Sequence, residues 1–393
     1  MAERPQQLEG YFDACATTPP SAAALEAMAQ AQQHAWANPS SLHPAGLAAA
    51  ESLERSRQTL AALLGSSAAD LIFCSGASEA IHLALLGSAA ALPAGRLVIS
   101  AVEHPATIAA AAQLQRRGWE VAVAPVDRHG LLLLDVLADL LVPPTRLVSL
   151  IWGQSEVGAV QDLAAIGALC RAAAVPLHVD AVQVVGHQPV DFAALPAQLL
   201  TCTAHKLQGP RGIALLLRKR GHALLPLIGG SQEAGLRGGT EAVVLAAGYA
   251  AAMLAACERL QANQGRDPSE PLRNQLLSEL LASEGMALTG PPPGPQRLPH
   301  HLSLLLHDRR GEPLPGRRLV RWLAGKGIAA SSGSACSSSS SAGAASPVLL
   351  AMGYPPGEAA AGLRLSLGPW HQPADLAAAV SALVQARQEL VAH

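Results

Sequence analysis

Apolar and polar positions in this chain fall into blocks that read as short strands separated by helices. Leu71–Cys74, Arg96–Ser100, Glu120–Ala124, Leu147–Trp152, Val175–Val179, Leu199–Thr203 and Ile213–Leu217 are compact runs, mostly of apolar residues. Runs of this length bounded by Gly, Pro or charge predict strands. Between them, Ala/Leu-rich stretches predict helices from about Ser78 to Leu86, from Pro105 to near Gly118, and from Leu163 to Ala173. The alternation implies an α/β fold with a mostly parallel seven-stranded sheet and helices on both faces. Ligands of such sheets sit beyond the carboxyl ends of the strands. Ala242–Cys257 is uncharged and mostly apolar but is interrupted by Gly248 and Tyr249. It falls short of the roughly 20 residues that span a bilayer, so a buried helix is expected.

After Cys257 the texture changes. Gln261–Pro271 is polar, Pro291–Pro295 is a stiff break, and His307–Arg318 is a charged loop. The expected division is a large domain over 14–257 and a smaller α+β domain from 258–393 joined by 1–13. With 393 residues, half of them hydrophobic, both parts can bury a core. The stretch 331–346 is almost entirely Ser, Gly and Ala. That composition suits a flexible linker. A linker has no need of the single cysteine at its centre, Cys336, so a mobile segment carrying a reactive thiol is the preferred reading.

Charge and cysteine usage narrow the function. The net charge is −2 and no long basic run exists, which excludes the footprint of a nucleic-acid binder. Met1–Gly10 carries no apolar signal core, so no export is expected. The six cysteines form no C-x-x-C pair, which argues against zinc and against a dense disulfide framework. A cytoplasmic protein with reduced thiols is expected, without membrane attachment. Five of the cysteines read as packing residues; Cys336 is the exception.

Only three lysines, Lys206, Lys219 and Lys326, occur among the 27 Lys and Arg residues. A Schiff-base enzyme must use lysine, because a guanidinium keeps its proton. Lys219 lies between two arginines at an expected solvated edge, and Lys326 lies between two glycines in a turn. Lys206 follows the strand Leu199–Thr203 on the ligand side, where a plain surface lysine is the alternative. Asp180 ends another strand, and an acid there is costly unless paired. A pyridinium nitrogen would pair it; a turn-capping role is the alternative. Gly76-Ala77-Ser78-Glu79 opens a helix after a strand and would offer free N–H groups to a phosphate. No G-x-G-x-x-G follows these strands and no Walker sequence exists, which disfavours a dinucleotide or ATP site. His104 lies at a strand end, where it could stack on an aromatic cofactor and move protons.

In order along the chain, Tyr11–Thr18, Asn38–His43, Ser75–Glu79, Glu103-His104, Val179–Gln183, Ala204–Lys206, Gly235–Thr240, Ser331–Cys336 and Arg364–Gly368 resemble the cysteine desulfurases. These are NifS/IscS-like enzymes of class V, with a fold-type-I pyridoxal-phosphate architecture. The Ser331–Cys336 stretch resembles their long-loop, group I signature. The resemblance implies that Lys206 holds pyridoxal 5′-phosphate through an imine, Asp180 pairs the ring nitrogen and Gln183 bonds the ring hydroxyl. It implies that His104 stacks on the ring and shares the proton work with Lys206. Gly76, Ala77, Ser78, Thr203 and His205 would bind the phosphate, with Thr240 reaching it from the partner subunit of a homodimer. Arg364, with Asn38, would bind the substrate, since a guanidinium suits a carboxylate. Cys336 would take sulfur from L-cysteine as a persulfide, releasing L-alanine, and pass it to an acceptor such as an Fe–S scaffold protein. Ser155 stands where the family has a ring-bonding asparagine, and Ala14-Cys15 replaces an Asn-Asn pair. The alternatives are a selenocysteine or cystine lyase, a class V aminotransferase, or an idle scaffold keeping the fold.

Overall fold

The computed structural model describes residues 8–333 and 345–390. Seven strands form its main sheet: β1 (Leu71–Cys74), β2 (Arg96–Ser100), β3 (Glu120–Ala124), β4 (Thr145–Ile151), β5 (Leu177–Asp180), β6 (Leu199–Thr203) and β7 (Ala214–Arg218). Their order is β1-β7-β6-β5-β4-β2-β3. From β3 to β6 every pairing is parallel. β7 runs antiparallel to both β6 and β1. The short link from β6 to β7 has no room for a crossover helix, so the chain turns straight back. β1, antiparallel to β7, therefore points the same way as β6, and its carboxyl end joins the ligand edge.

All seven expected strands are present, with their ends displaced by no more than two residues. Helices α1 (Ala22–His34), α2 (Pro44–Leu63), α3 (Ala77–His82), α4 (Pro105–Arg116), α5 (Leu134–Leu140), α6 (Leu163–Ala172) and α7 (Val243–Ala262) cover the sheet and its flank. α3 runs on through a π-helical turn, Leu83–Gly87, and a last turn, Ser88–Ala90, so it is longer than predicted. Pro105 opens α4 at a position that needs no N–H donor. α7 is the predicted buried helix. It is long and apolar enough to cross a membrane, yet half of it is buried in the protein. It packs against α1 and α2. Gly248 permits the close approach, since a Cβ there would meet Met28 Cγ at 2.5 Å.

The second sheet is antiparallel, β10-β9-β8, from β8 (Met286–Leu288), β9 (His301–Leu306) and β10 (Gly362–Ser366). Around it lie α8 (Ser269–Leu281), α9 (Gly316–Gly325) and α10 (Pro373–Glu389). Leu276, Leu302, Leu319, Leu363 and Leu376 form its core together with Phe12 from the start of the chain.

Two stretches read as loops are shorter than expected. α7 extends to Ala262 and α8 begins at Ser269, inside Gln261–Pro271. α9 begins at Gly316, inside the charged loop, because Leu319 and Leu323 give it a buried stripe. Lys219 also departs from its reading. It is tied to the carbonyls of Ala193 and Leu195, and its ammonium lies 5.5 Å from the Phe192 ring centroid. Lys326 caps the end of α9, in the turn expected for it.

Candidate active site

The carboxyl ends of β2, β4, β5, β6 and β1 deliver most of the expected site residues to one edge. Lys206 leaves β6 in the single turn Ala204–Lys206. Its Nζ donates to the carbonyls of Cys15 (2.6 Å) and Ala16 (2.7 Å). Burial pushes the Lys206 ammonium down to about 8, and nearby Arg364 pushes the same way against the acids around it. The amine is therefore aimed and partly neutral near physiological pH.

Asp180 ends β5 with 3% of its surface exposed. One carboxylate oxygen accepts from the Val182 N–H at 3.0 Å, so the turn-capping role is real. Burial raises its pKa, opposed by the neighbouring His104. His104 caps α4 by accepting from the Ala106 N–H at 3.1 Å through Nδ1, which leaves Nε2 as the protonated nitrogen of the neutral ring. Burial lowers its pKa, so that ring is neutral. Gln183 donates to the Cys15 carbonyl at 2.9 Å, while its buried Oε1 has no partner among the described residues.

At the phosphate end, Gly76 caps α3 without a side-chain hydrogen bond. A Cβ at Gly76 would meet nothing within 4 Å, so the space in front of the helix is open. Ala77 begins the helix and Ser78 is exposed beside it. His205 pairs through Nδ1 with Thr17 Oγ1 at 3.1 Å, and burial holds its pKa at about 4. The Thr203 hydroxyl is turned to the Ile213 carbonyl at 3.0 Å.

Arg364 enters from β10 of the second sheet. It donates to Asp13 Oδ1 at 2.7 Å and to the Ser155 carbonyl at 2.9 Å. Its buried Nε has no partner among the described residues. Ser155 thus reaches the site through its main chain. Ser331 pairs with Arg364 across an antiparallel bridge, so the segment leading to Cys336 departs from the arginine strand. Cys336 itself lies outside the described residues. Asn38 is exposed between α1 and α2, where its side chain accepts from the Ser40 N–H. Thr240 is exposed ahead of α7. Neither is brought to the edge within this chain.

Two contributors were read from sequence only as parts of motifs, without a role. Residues 13–18 cross the sheet edge, pinned where Asp13 bridges Ser366 and Thr18 bonds the His205 carbonyl. Glu103 is fully buried, accepts from Ser100 Oγ and the Ile151 N–H, and is pushed by burial up to about 8. Only the Glu103-His104 adjacency hinted at it.

The class-V aminotransferase family model matches residues 10–378. Cysteine desulfurase IscS 1 of Archaeoglobus fulgidus is 33% identical over 93% of this chain and 94% of its own. A cysteine desulfurase of Klebsiella pneumoniae is 36% identical over 91% of this chain and 87% of its own. This chain belongs to the class-V aminotransferases, among the cysteine desulfurases. A solved NifS-like protein superposes with a TM-score of 0.87 at 29% identity, covering 97% of this chain and 99% of that one. Enzymes of this family depend on pyridoxal phosphate.

Proposed function

We propose that the protein is a pyridoxal-phosphate-dependent desulfurase that converts L-cysteine to L-alanine and collects the sulfur on Cys336. The observation that carries this reading is the Lys206 amine, half-buried at the carboxyl end of β6 with its pKa lowered by burial. The cofactor fits the surroundings. The unpartnered Gln183 Oε1 suits a ring hydroxyl, and Asp180, buried without a cationic hydrogen-bond partner, suits a protonated ring nitrogen. The uncapped start of α3 and the open space at Gly76, with Ala77, Ser78 and His205, suit a phosphate. Thr203 would join them after its hydroxyl turns. Bound there, the ring supplies a sink for the electron pair released at the substrate Cα.

The chain's own groups do the rest. With the cofactor bound, Lys206 would serve as the base for the substrate Cα proton, and His104 would stack on the ring and share that proton work. Arg364, already oriented by Asp13 and Ser155, offers its free Nε–H to the substrate carboxylate. Cys336 attacks the substrate sulfur as a thiolate, since a thiol is a poor nucleophile. Cys336 lies five positions beyond Ser331, a reach of at most roughly 17 Å, and Ser331 itself bridges Arg364.

The persulfide then passes to an acceptor protein, such as an Fe–S scaffold, in the cytoplasm. The enzyme works as a homodimer, with Thr240 serving the partner's phosphate site and Asn38 completing the substrate site across the interface. Trp36 and Leu42, 66% and 89% exposed around Asn38, provide apolar surface for that contact. The large domain spans 14–257 and the small one 1–13 with 258–393. Alanine and sulfide produced from cysteine are expected from the wild type, strongly reduced in Cys336→Ala and absent in Lys206→Ala. Full production by Cys336→Ala would instead indicate a lyase or aminotransferase.

A further inference from the structure

Cys15, one of the cysteines read as packing, stands inside the site. Its main chain is fixed on both sides. The N–H donates to Ser366 Oγ at 2.9 Å, and the carbonyl accepts from Lys206 and Gln183. The thiol is buried, and Sγ lies 3.3 Å from His300 Nε2. His300 is 1% exposed, and its Nδ1 has no partner among the described residues. Its ring stacks on His187, with centroids 3.6 Å apart and planes 14° from parallel. His187 Nδ1 in turn lies 2.6 Å from Asp267 Oδ2.

A metal could be imagined here, since ligand atoms of His187, Asp267 and His300 lie within 4.8 Å of one another. The ring geometry argues against it. A bound metal lies in the plane of each imidazole, and two stacked, nearly parallel rings share no such point. His187 and Asp267 are also already at hydrogen-bonding distance. The arrangement is a thiol–imidazole pair backed by a carboxylate.

We propose that Cys15 and His300 form a second proton-holding pair of the active site, positioned by His187 and Asp267. This rests on the desulfurase reading. Turning cysteine and an enzyme thiol into alanine and an enzyme persulfide moves one sulfur with its hydrogen and adds one hydrogen to Cβ. That hydrogen balances the proton that the attacking thiol gives up, and no oxidant or reductant enters. The proton must wait somewhere between sulfur and carbon. A proton arriving on Cys15 Sγ releases the thiol's own hydrogen to His300 Nε2, leaving a thiol beside an imidazolium; the reverse shift returns it.

The surrounding charges set the resting state as a neutral thiol beside a neutral imidazole. Burial raises the Cys15 pKa and Asp13 adds to it, against Arg364, a hydrogen bond with the Ser366 side chain and Lys206, so the group rests as a thiol and is a carrier, not a nucleophile. Burial, His187, His301 and Arg273 keep His300 neutral at rest, and Asp267 favours its transient charge. Burial opposes ionisation of Asp267, but the His187 hydrogen bond and the adjacent imidazoles hold it ionised.

The test uses the cofactor-loaded protein and the variants Cys15→Ala, Cys15→Ser and His300→Phe. In infrared spectra, the Cys15 S–H band, identified by its loss in Cys15→Ala, is expected at the low frequency of a hydrogen-bonded thiol and to rise in His300→Phe. Single-turnover alanine formation in Cys15→Ala should slow by about 100-fold, as for loss of an acid–base group. Cofactor absorbance should be unchanged, and Cys15→Ser should restore part of the rate. A free-thiol frequency in the wild type would overturn the proposal, as would wild-type turnover by Cys15→Ala across the pH range. Absence of alanine from the wild type would instead overturn the desulfurase reading.

Discussion

Lys206 illustrates what one residue's surroundings decide. With its pKa near 8, roughly a tenth of the amine is neutral at pH 7, against well under a thousandth for an unperturbed lysine. Imine formation needs the neutral amine. Capture of pyridoxal phosphate by cofactor-free protein should therefore speed up about tenfold from pH 6 to pH 7 and level off above about 8. Stopped-flow absorbance checks this, and a rise continuing to pH 10 would contradict it. Lys206 was legible because lysine is scarce and follows a strand end. Asp180 and His104 were legible for the same positional reason. Cys15 was not: its contact with His300 spans 285 positions and its bond to Ser366 spans 351. The one trace in the sequence was that Ala14-Cys15 departs from the family's Asn-Asn pair.

At the scale of elements, the strands were the most legible part, because each is a short apolar run with a clear stop. The antiparallel return of β7 was not, since it depends on the length of the β6–β7 link and not on its own residues. The end of α3 was also missed, where the chain stays helical through Gly87 and on to Ala90 despite glycine's low helix propensity. The start of α3 gives a direct test. Gly76 is extended (φ 174°) and open in front, so Gly76→Asp should fold normally. Its carboxylate would repel a phosphate, and cofactor affinity should fall by about tenfold or more, ~1.4 kcal/mol, by equilibrium titration. Unchanged affinity would move the phosphate elsewhere. The loop carrying Thr240 is anchored by Glu233, which is buried, pairs with Arg57 at 2.7 Å and accepts from the Phe73 N–H. Glu233→Ala leaves Arg57 and that N–H without it. A loss of about 3–5 kcal/mol in denaturant unfolding is expected; a change within experimental error would show the anchor to be dispensable.

The whole molecule joins two sheets at one site. Lys206, Asp180 and His104 come from the large sheet, and Arg364 comes from the small one. The strip 13–18 ties them, bonded to β10 at Ser366 and to the turn after β6 at Lys206 and His205. The alternation of strands and helices made the large sheet readable. The joint was not, because its bonds, Arg364 to Asp13, Lys206 to Cys15 and Thr18 to His205, link positions far apart along the chain. Segment 331–346 belongs to this scale too, since its first residue, Ser331, bridges β10 at Arg364, the residue proposed to hold the substrate carboxylate. In the proposed reaction, sulfur passes from the free amino acid to the thiol in that segment. Mass spectrometry of the Cys336 peptide, taken after brief incubation of the cofactor-loaded protein with cysteine and no acceptor, tests it directly. One added sulfur is expected on that peptide, removed by a thiol reductant and absent in Lys206→Ala. An unmodified Cys336 in protein that is steadily producing alanine would contradict it.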